Sequence, residues 1–176
     1  PVRTPPLHLK GEEADWVDET LQKEVLSGQL DRGNSEWASP PFATKDFAKH
    51  RRQRKRRLVV DNRRVNARIL RAVYYVRSAD GVVQEVSCSM WITLVDACKG
   101  FNPVANTRRA REMLAILARS GQYLPVCLTF GPTNGPEDFQ ELVFTVFQRR
   151  LYKDWFLFVD DLSVCLLYTS DAADER

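Results

Sequence analysis

The chain has 176 residues, 44% of them hydrophobic and 28% charged, which fits a globular domain and excludes a disordered, collagenous or coiled-coil chain. Its net charge of +3 hides an asymmetry: residues 45–71 hold twelve of the 26 Lys and Arg but two of the 23 Asp and Glu, so this window carries +10 and the remainder −7. No apolar run approaches the ~20 residues a bilayer helix needs and no basic-then-apolar leader opens the chain, while four scattered cysteines (Cys88, Cys98, Cys127, Cys165) and two histidines make neither a disulfide framework nor a zinc module. A soluble, intracellular protein without a membrane partner is expected.

In chain order, residues 1–11 are rich in proline and read as an extended lead-in, with order beginning after Gly11. Ala14, Val17, Leu21 and Val25 recur at helical spacing, predicting a helix over Glu12–Ser27 that Gly28 ends. Gly33, Asn34, Ser39, Pro40 and Pro41 leave Gln29–Thr44 without a regular element except a short edge strand at Pro41–Thr44. The basic window runs into a strand at Leu58–Val60 followed by a basic hairpin around Asp61–Asn66, and the Asp80-Gly81 pair between Ile69–Val76 and Val82–Val86 predicts a second hairpin. Trp91–Val95 has the pattern of a buried strand ending on Asp96. A helix capped by Asn106 or Thr107 and stopped by Gly121 follows, then a strand over Tyr123–Phe130. The loop from Gly131 feeds a helix with Pro136 in its first turn and Phe139, Leu142, Val143, Val146 and Phe147 on its buried face. Trp155–Val159 and Leu162–Val164 form a hairpin turned by Asp160-Asp161. Helices beside antiparallel strands define an α+β protein.

Two adjacent aspartates between apolar strands repel each other unless a cation binds. Asp96 ends another apolar strand, and neighbouring strands in one sheet would bring it to Asp160. Three hard oxygen donors suit Mg²⁺, which keeps positions open for water and substrate phosphates, and two such ions serve in-line phosphoryl displacement. Aspartate is also an ordinary turn residue, so the pair alone does not decide. The basic window is either a solvated charged loop or an arm for phosphate groups of a polyanion.

Several strings share one order with a known family. Leu26-Ser27-Gly28-Gln29-Leu30 with Ser35-Glu36-Trp37-Ala38-Ser39-Pro40 is similar to L-x-x-G-x-I followed by S-x-W-A-S-P. Leu58–Asn66 is similar to R-x-C-V-D-Y-R-x-L-N, and Trp91–Val104 to L-D-L-x-x-G-Y-x-Q-I. Phe130-Gly131-Pro132-Thr133-Asn134-Gly135-Pro136 with Phe139-Gln140 is similar to P-F-G-L-x-N-A-P-x-x-F-Q, and Phe158-Val159-Asp160-Asp161 to Y-x-D-D. Over Val25–Val164 the chain thus resembles the reverse transcriptases of gypsy-type LTR retrotransposons and their retroviral and pararetroviral relatives. Thr129, Pro132, Asn62 and Pro103 depart from that pattern, Glu137-Asp138 adds negative charge, and the Pro-Leu-Pro segment of the family is absent around Ala72–Ser89.

The resemblance implies an RNA-directed DNA polymerase with right-hand fingers and palm over residues 12–164, an antiparallel palm sheet packed on helices, and no thumb. Residues 165–176 read as a non-native tail. Asp96, Asp160 and Asp161 would be catalytic and hold two Mg²⁺ ions, with Mn²⁺ as the alternative. Arg57 and Lys45 would grip the triphosphate of a dNTP, Phe101 would gate the ribose 2′ position or else serve as a core aromatic, and Phe130 and Gly131 would line the nucleotide pocket. Arg63, Asn134, Pro136 and Gln140 would follow an RNA or DNA template with its primer. RNase H, integrase and the other polyprotein domains would be missing, the truncated chain weak or inactive, and its location a cytoplasmic particle or the nucleus. The alternative is a catalytically inactive remnant that still binds nucleic acid.

Overall fold

A computed structural model describes residues 1–44, 56–73, 78–87, 89–96, 103–158 and 161–166, with backbone alone at 79, 96, 158, 161 and 166. The elements are α1 (Glu12–Leu26), β1 (Leu30–Arg32), β2 (Pro41–Ala43), β3 (Leu58–Val60), α2 (Arg63–Asn66), α3 (Ala79–Val86), β4 (Trp91–Asp96), α4 (Arg108–Met113), β5 (Ile116–Ala118), β6 (Gly121–Pro125), α5 (Gly135–Phe147), β7 (Trp155–Phe158) and β8 (Asp161–Leu166). They fall into two compact units, Pro1–Arg71 with Phe101–Gly135, and Ala72–Gly100 with Pro136–Arg176. The described residues are an α+β chain whose sheets are all antiparallel.

In the first unit α1 forms as its periodicity predicts, with Ala14, Val17 and Leu21 buried and Glu12, Glu13 and Asp15 at its positive end. Beneath it lies a sheet in the order β1-β6-β5. Leu21, Leu30, Ile116 and Tyr123 are its fully buried centre. The Tyr123 hydroxyl avoids burial without a partner by accepting from Gln22 Nε2 at 3.0 Å and pairing with Ser120 Oγ at 2.8 Å. Arg119 fastens the sheet to the helix through Asp15 and Asp18.

Several sequence expectations change here. Leu30–Arg32 is a strand, where only a loop was expected, because the edge of β6 supplies its partners from Pro125 to Tyr123. Thr107 is the cap of α4, its Oγ1 accepting from Ala110 N–H at 3.2 Å, and the helix stops at Met113. Leu117 then lies in β5, and Gly121, with φ at 128°, serves the β5–β6 hairpin instead of ending a helix. Asn106 turns away from capping and donates to the carbonyls of Pro125 and Cys127. The basic segment after β3 is the short helix α2, not a hairpin. Order also starts before Gly11, since Val2 is buried and Thr4 N–H and Ala38 N–H donate to Ala38 and Val2 carbonyls respectively.

In the second unit β8 is central, in the order β4-β8-β7. The hairpin predicted around Asp80-Gly81 is instead α3: Ser78 Oγ accepts from Gly81 N–H at 3.2 Å, so Asp80 and Gly81 become the first turn of a capped helix. Val82 of α3 packs with Phe156 and Cys165. The core therefore lies under β7 and β8. The edge strand β4 is not buried as its pattern suggested: Trp91, Ile92, Leu94 and Val95 are all exposed. In α5, Phe139 and Val143 are buried as expected while Val146 is exposed, and Phe147 tilts against Trp155 with ring centroids 5.2 Å apart. β8 runs two residues past Val164, through Cys165 and Leu166. No helix among the described residues is long and apolar enough to cross a membrane.

Leu21, with 0% exposure, and Leu94, with 73%, give opposite expectations. Leu21→Ala should cost ~2–5 kcal/mol of unfolding free energy, and Leu94→Thr less than about 0.5 kcal/mol. Urea denaturation of both variants measures the contrast; equal losses would mean that β4 is packed in solution.

Candidate nucleotide and nucleic-acid site

In the second unit the β4–β8 ladder pairs Trp91 with Leu166 and runs in register to its last pair, Asp96 with Asp161. Residues opposite one another in an antiparallel pair have Cα atoms ~4.5–5.5 Å apart. The β7–β8 hairpin pairs Phe158 with Asp161, so its two-residue connection is Val159-Asp160 and not Asp160-Asp161. That shift of one residue makes Asp161 a strand residue. Asp160 lies outside the described residues, as do Lys45 and Phe101.

Like charges directly opposite in a ladder destabilise it. A set made of Asp96, Asp161 and the adjoining Asp160 supplies hard oxygen donors, the chemistry that Mg²⁺ accepts. Asp96 and Asp161 therefore fit the ion by donor type and by backbone register. Among the fully described residues there is no group of three or more His, Cys, Asp or Glu that could hold a metal.

In the first unit the residues around β3 form a pocket of about 410 Å³, lined among others by Phe42, Val60, Asn62, Arg63, Asn66 and Gly131. β2 and β3 pair from Pro41–Val60 to Ala43–Leu58. Hydrogen bonding continues past that ladder, with Thr44 N–H donating to Arg57 O at 2.9 Å and Arg57 N–H to Thr44 Oγ1 at 3.3 Å. Arg57 thus enters β3 from an ordered, exposed backbone position. Arg63 is exposed, and its Nε and Nη2 donate to the two carboxylate oxygens of Asp61 at 2.8 and 2.7 Å. These hydrogen bonds hold the Asp61 carboxyl below the usual range against the opposing effect of burial, and the Arg63 backbone N–H and charge add to the lowering. The same pairing raises the guanidinium.

Gly131 belongs here for a steric reason. Its φ is 124°, and a Cβ would lie 2.9 Å from Asn62 Nδ2 and 3.2 Å from Val60 O. Arg63 and Gly131, from distant motifs, are thereby brought to one pocket. Phe130 is exposed and Pro136 is exposed, whereas Asn134 is half-buried and donates to Leu70 O at 3.0 Å. Gln140 is 2% exposed, so it supports α5 from within and does not present its amide to solvent. Asn62 and Asn66 shape the pocket without having been singled out as site residues in the sequence, although both lie in the Leu58–Asn66 string.

The fold is that of solved reverse transcriptases. It matches the foamy viral protease-reverse transcriptase in complex with RNA/DNA hybrid with a TM-score of 0.80 at 16% identity, over 96% of this chain and 22% of that one. It matches the native prototype foamy virus protease-reverse transcriptase with a TM-score of 0.71 at 19% identity, over 94% of this chain and 21% of that one. In sequence the chain is related to retrotransposon Pol polyproteins of Drosophila melanogaster. It is 24% identical over 159 residues to that of transposon opus, 90% of this chain and 16% of the relative. For transposon 297 the figures are 23% over 148 residues, 84% and 14%, and for transposon gypsy 22% over 152 residues, 86% and 15%. The chain spans about a sixth of the length of these curated relatives. No protein-family model matches it.

The depressed Asp61 carboxyl sets a pH dependence. Its stabilisation is present above the unfolded carboxylate value of ~3.9 and is lost as pH falls through the lower folded value. Asp61→Asn should therefore be less stable than the parent at pH 7, with the gap narrowing at acid pH. Denaturation at both pH values measures it, and a pH-independent gap would assign the effect to shape instead of charge.

Proposed function

We propose that residues 12–164 are the fingers and palm of a retroelement RNA-directed DNA polymerase, acting on a primed RNA or DNA template with dNTPs. The observation that carries this reading is the register opposing Asp96 and Asp161 at the end of β4 and β8. With Asp160 they would hold two Mg²⁺ ions. The chemistry those ions supply when bound is activation of an attacking hydroxyl and neutralisation of charge on a leaving pyrophosphate.

The remaining work falls to the chain's own side chains. Arg57, exposed just before β3, offers a planar guanidinium for the triphosphate, and Lys45 of the basic window assists it. Gly131 lines the nucleotide pocket through its backbone, Phe130 offers an exposed ring to the sugar, and Phe101 gates the 2′ position. Arg63 reads no base; it supplies a phosphate contact tempered by Asp61. Asn134 and Pro136 continue the track, with Gln140 supporting it from inside α5. Foamy viral relatives of the same fold were solved with RNA/DNA hybrid and with double-stranded DNA, which supports a nucleic-acid partner.

The test is thermal unfolding and dTTP binding with and without Mg²⁺. The parent should gain stability and dTTP affinity with Mg²⁺, and Asp96→Asn should lose at least tenfold of that affinity while still binding a single-stranded oligonucleotide. If Mg²⁺ changes neither property in the parent but oligonucleotide binding persists, the chain is an inactive nucleic-acid-binding remnant. In the same titrations Arg63→Ala should reduce the slope of log affinity against log salt by about one for each phosphate contact removed. An unchanged slope would exclude Arg63 from the nucleic-acid track.

A further inference from the structure

We propose that Asn66 is a positioning residue: its carboxamide latches the Gly131–Thr133 loop to α2 and so sets the shape of the pocket that Gly131 and Arg63 share. The role of that pocket rests on the polymerase reading; the latch itself does not. Asn66 Nδ2 donates to Gly131 O at 2.8 Å, and Asn66 Oδ1 accepts from Thr133 N–H at 3.0 Å. One side chain thus satisfies a backbone acceptor and a backbone donor two residues apart, as a paired strand residue would.

The anchor on the α2 side is firm. Asn66 N–H donates to Asn62 O at 2.7 Å, and the preceding Val65 is fully buried with Val2 and Leu114. On the loop side Gly135 N–H donates to Pro132 O, closing a turn, and Asn134 Nδ2 ties the loop again to Leu70 O. Gly131 is pressed so closely on Asn62 and Val60 that no Cβ fits. Between these points the amide of Asn66 bonds both ends of the Gly131–Thr133 span. Release of those bonds would let the pocket wall carrying Gly131 move away from the wall carrying Arg63 and Asn66.

The chemistry of a carboxamide makes the latch testable. Asn66→Ala removes both bonds. Asn66→Asp at neutral pH sets a carboxylate against the Gly131 carbonyl, two acceptors with no proton between them, and that repulsion drives the Gly131–Thr133 loop away from the oxygen that Thr133 N–H uses. Protonating the carboxylate introduced by that substitution would restore the donor, with its O–H to Gly131 O and its carbonyl to Thr133 N–H. The charged groups lining the same pocket are Asp61 and Arg63, which engage each other, and the parent protein measured at each pH controls for their titration.

The experiment is amide hydrogen exchange of the full chain at pH 7.5 and 4.5, read as the protection factor of Thr133, with Leu30 and Tyr123 amides of the core as reference. Asn66→Ala should lose roughly tenfold or more of Thr133 protection at both pH values with the reference amides unchanged. Asn66→Asp should lose it at pH 7.5 and recover most of it at pH 4.5. Thr133 protection that is the same in parent and Asn66→Asp at both pH values would overturn the latch, as would loss without recovery at acid pH. The parent and both variants are then titrated with dTTP and Mg²⁺ at pH 7.5, where each variant should bind roughly five- to tenfold more weakly. If the exchange result holds and the parent binds no dTTP, the latch stands and the polymerase reading falls; if the parent binds dTTP and the variants match it, the latch does not serve the nucleotide.

Discussion

The opposition of Asp96 and Asp161 is tolerable only because the rest of the β4–β8 ladder fixes its register. Five further pairs precede it, among them Trp91 with Leu166, Ile92 with Cys165 and Val95 with Leu162. Apolar cross-strand pairs each contribute ~0.2–1 kcal/mol, and a slip of one residue would move every side chain to the other face. Several such pairs outweigh one repulsive pair at the strand end, so the two aspartates stay where the ladder puts them. The shift of the hairpin connection to Val159-Asp160 follows from the same ladder, since pairing Phe158 with Asp161 draws Asp161 into β8.

The first unit is organised by a different means. Two asparagine amides, of Asn66 and Asn134, bond the segment after β3 to the loop after Phe130. Neither segment has a strand or a long helix with which to dock, so side-chain amides take over the role of a backbone ladder. Gly131 is the complement to this arrangement, for the approach of Asn62 and Val60 leaves no room for a side chain.

Charge is distributed with a similar economy. The basic window concentrates positive charge that the net charge conceals, yet Arg63 is held by Asp61 and Arg56 lies 3.8 Å from Glu12. An exposed ion pair contributes little stability, so the value of the Asp61 contact is orientation: a bidentate carboxylate keeps the guanidinium at the pocket instead of leaving it free in solvent.

What the amino-acid sequence determined by itself is whatever depends on neighbours in the chain. The periodicity of α1, the β-branched run of β3, the Pro136 start of α5, the strand ending on Asp96 and the concentration of positive charge could all be read without coordinates, because each is encoded within a few residues. The three-residue strand β1 could not, since its hydrogen-bond partners stand over ninety residues on in β6; β5 pairs with β6 only a few residues on, but Leu117 continues the apolar helical spacing of Ala110, Met113 and Leu114 and so hid the strand. Asp80-Gly81 suits a turn or a capped first helical turn equally well, and the Ser78 cap with Val82 packing on Phe156 selected the helix. The apolar pattern of β4 specified a strand but not its burial, which follows from its place at the sheet edge. Likewise the pairing of Asp96 with Asp161 and the bridge from Asn66 to Gly131 and Thr133 join positions 65 or more residues apart, and only tertiary folding, by closing those intervals against chain entropy, decides which groups meet.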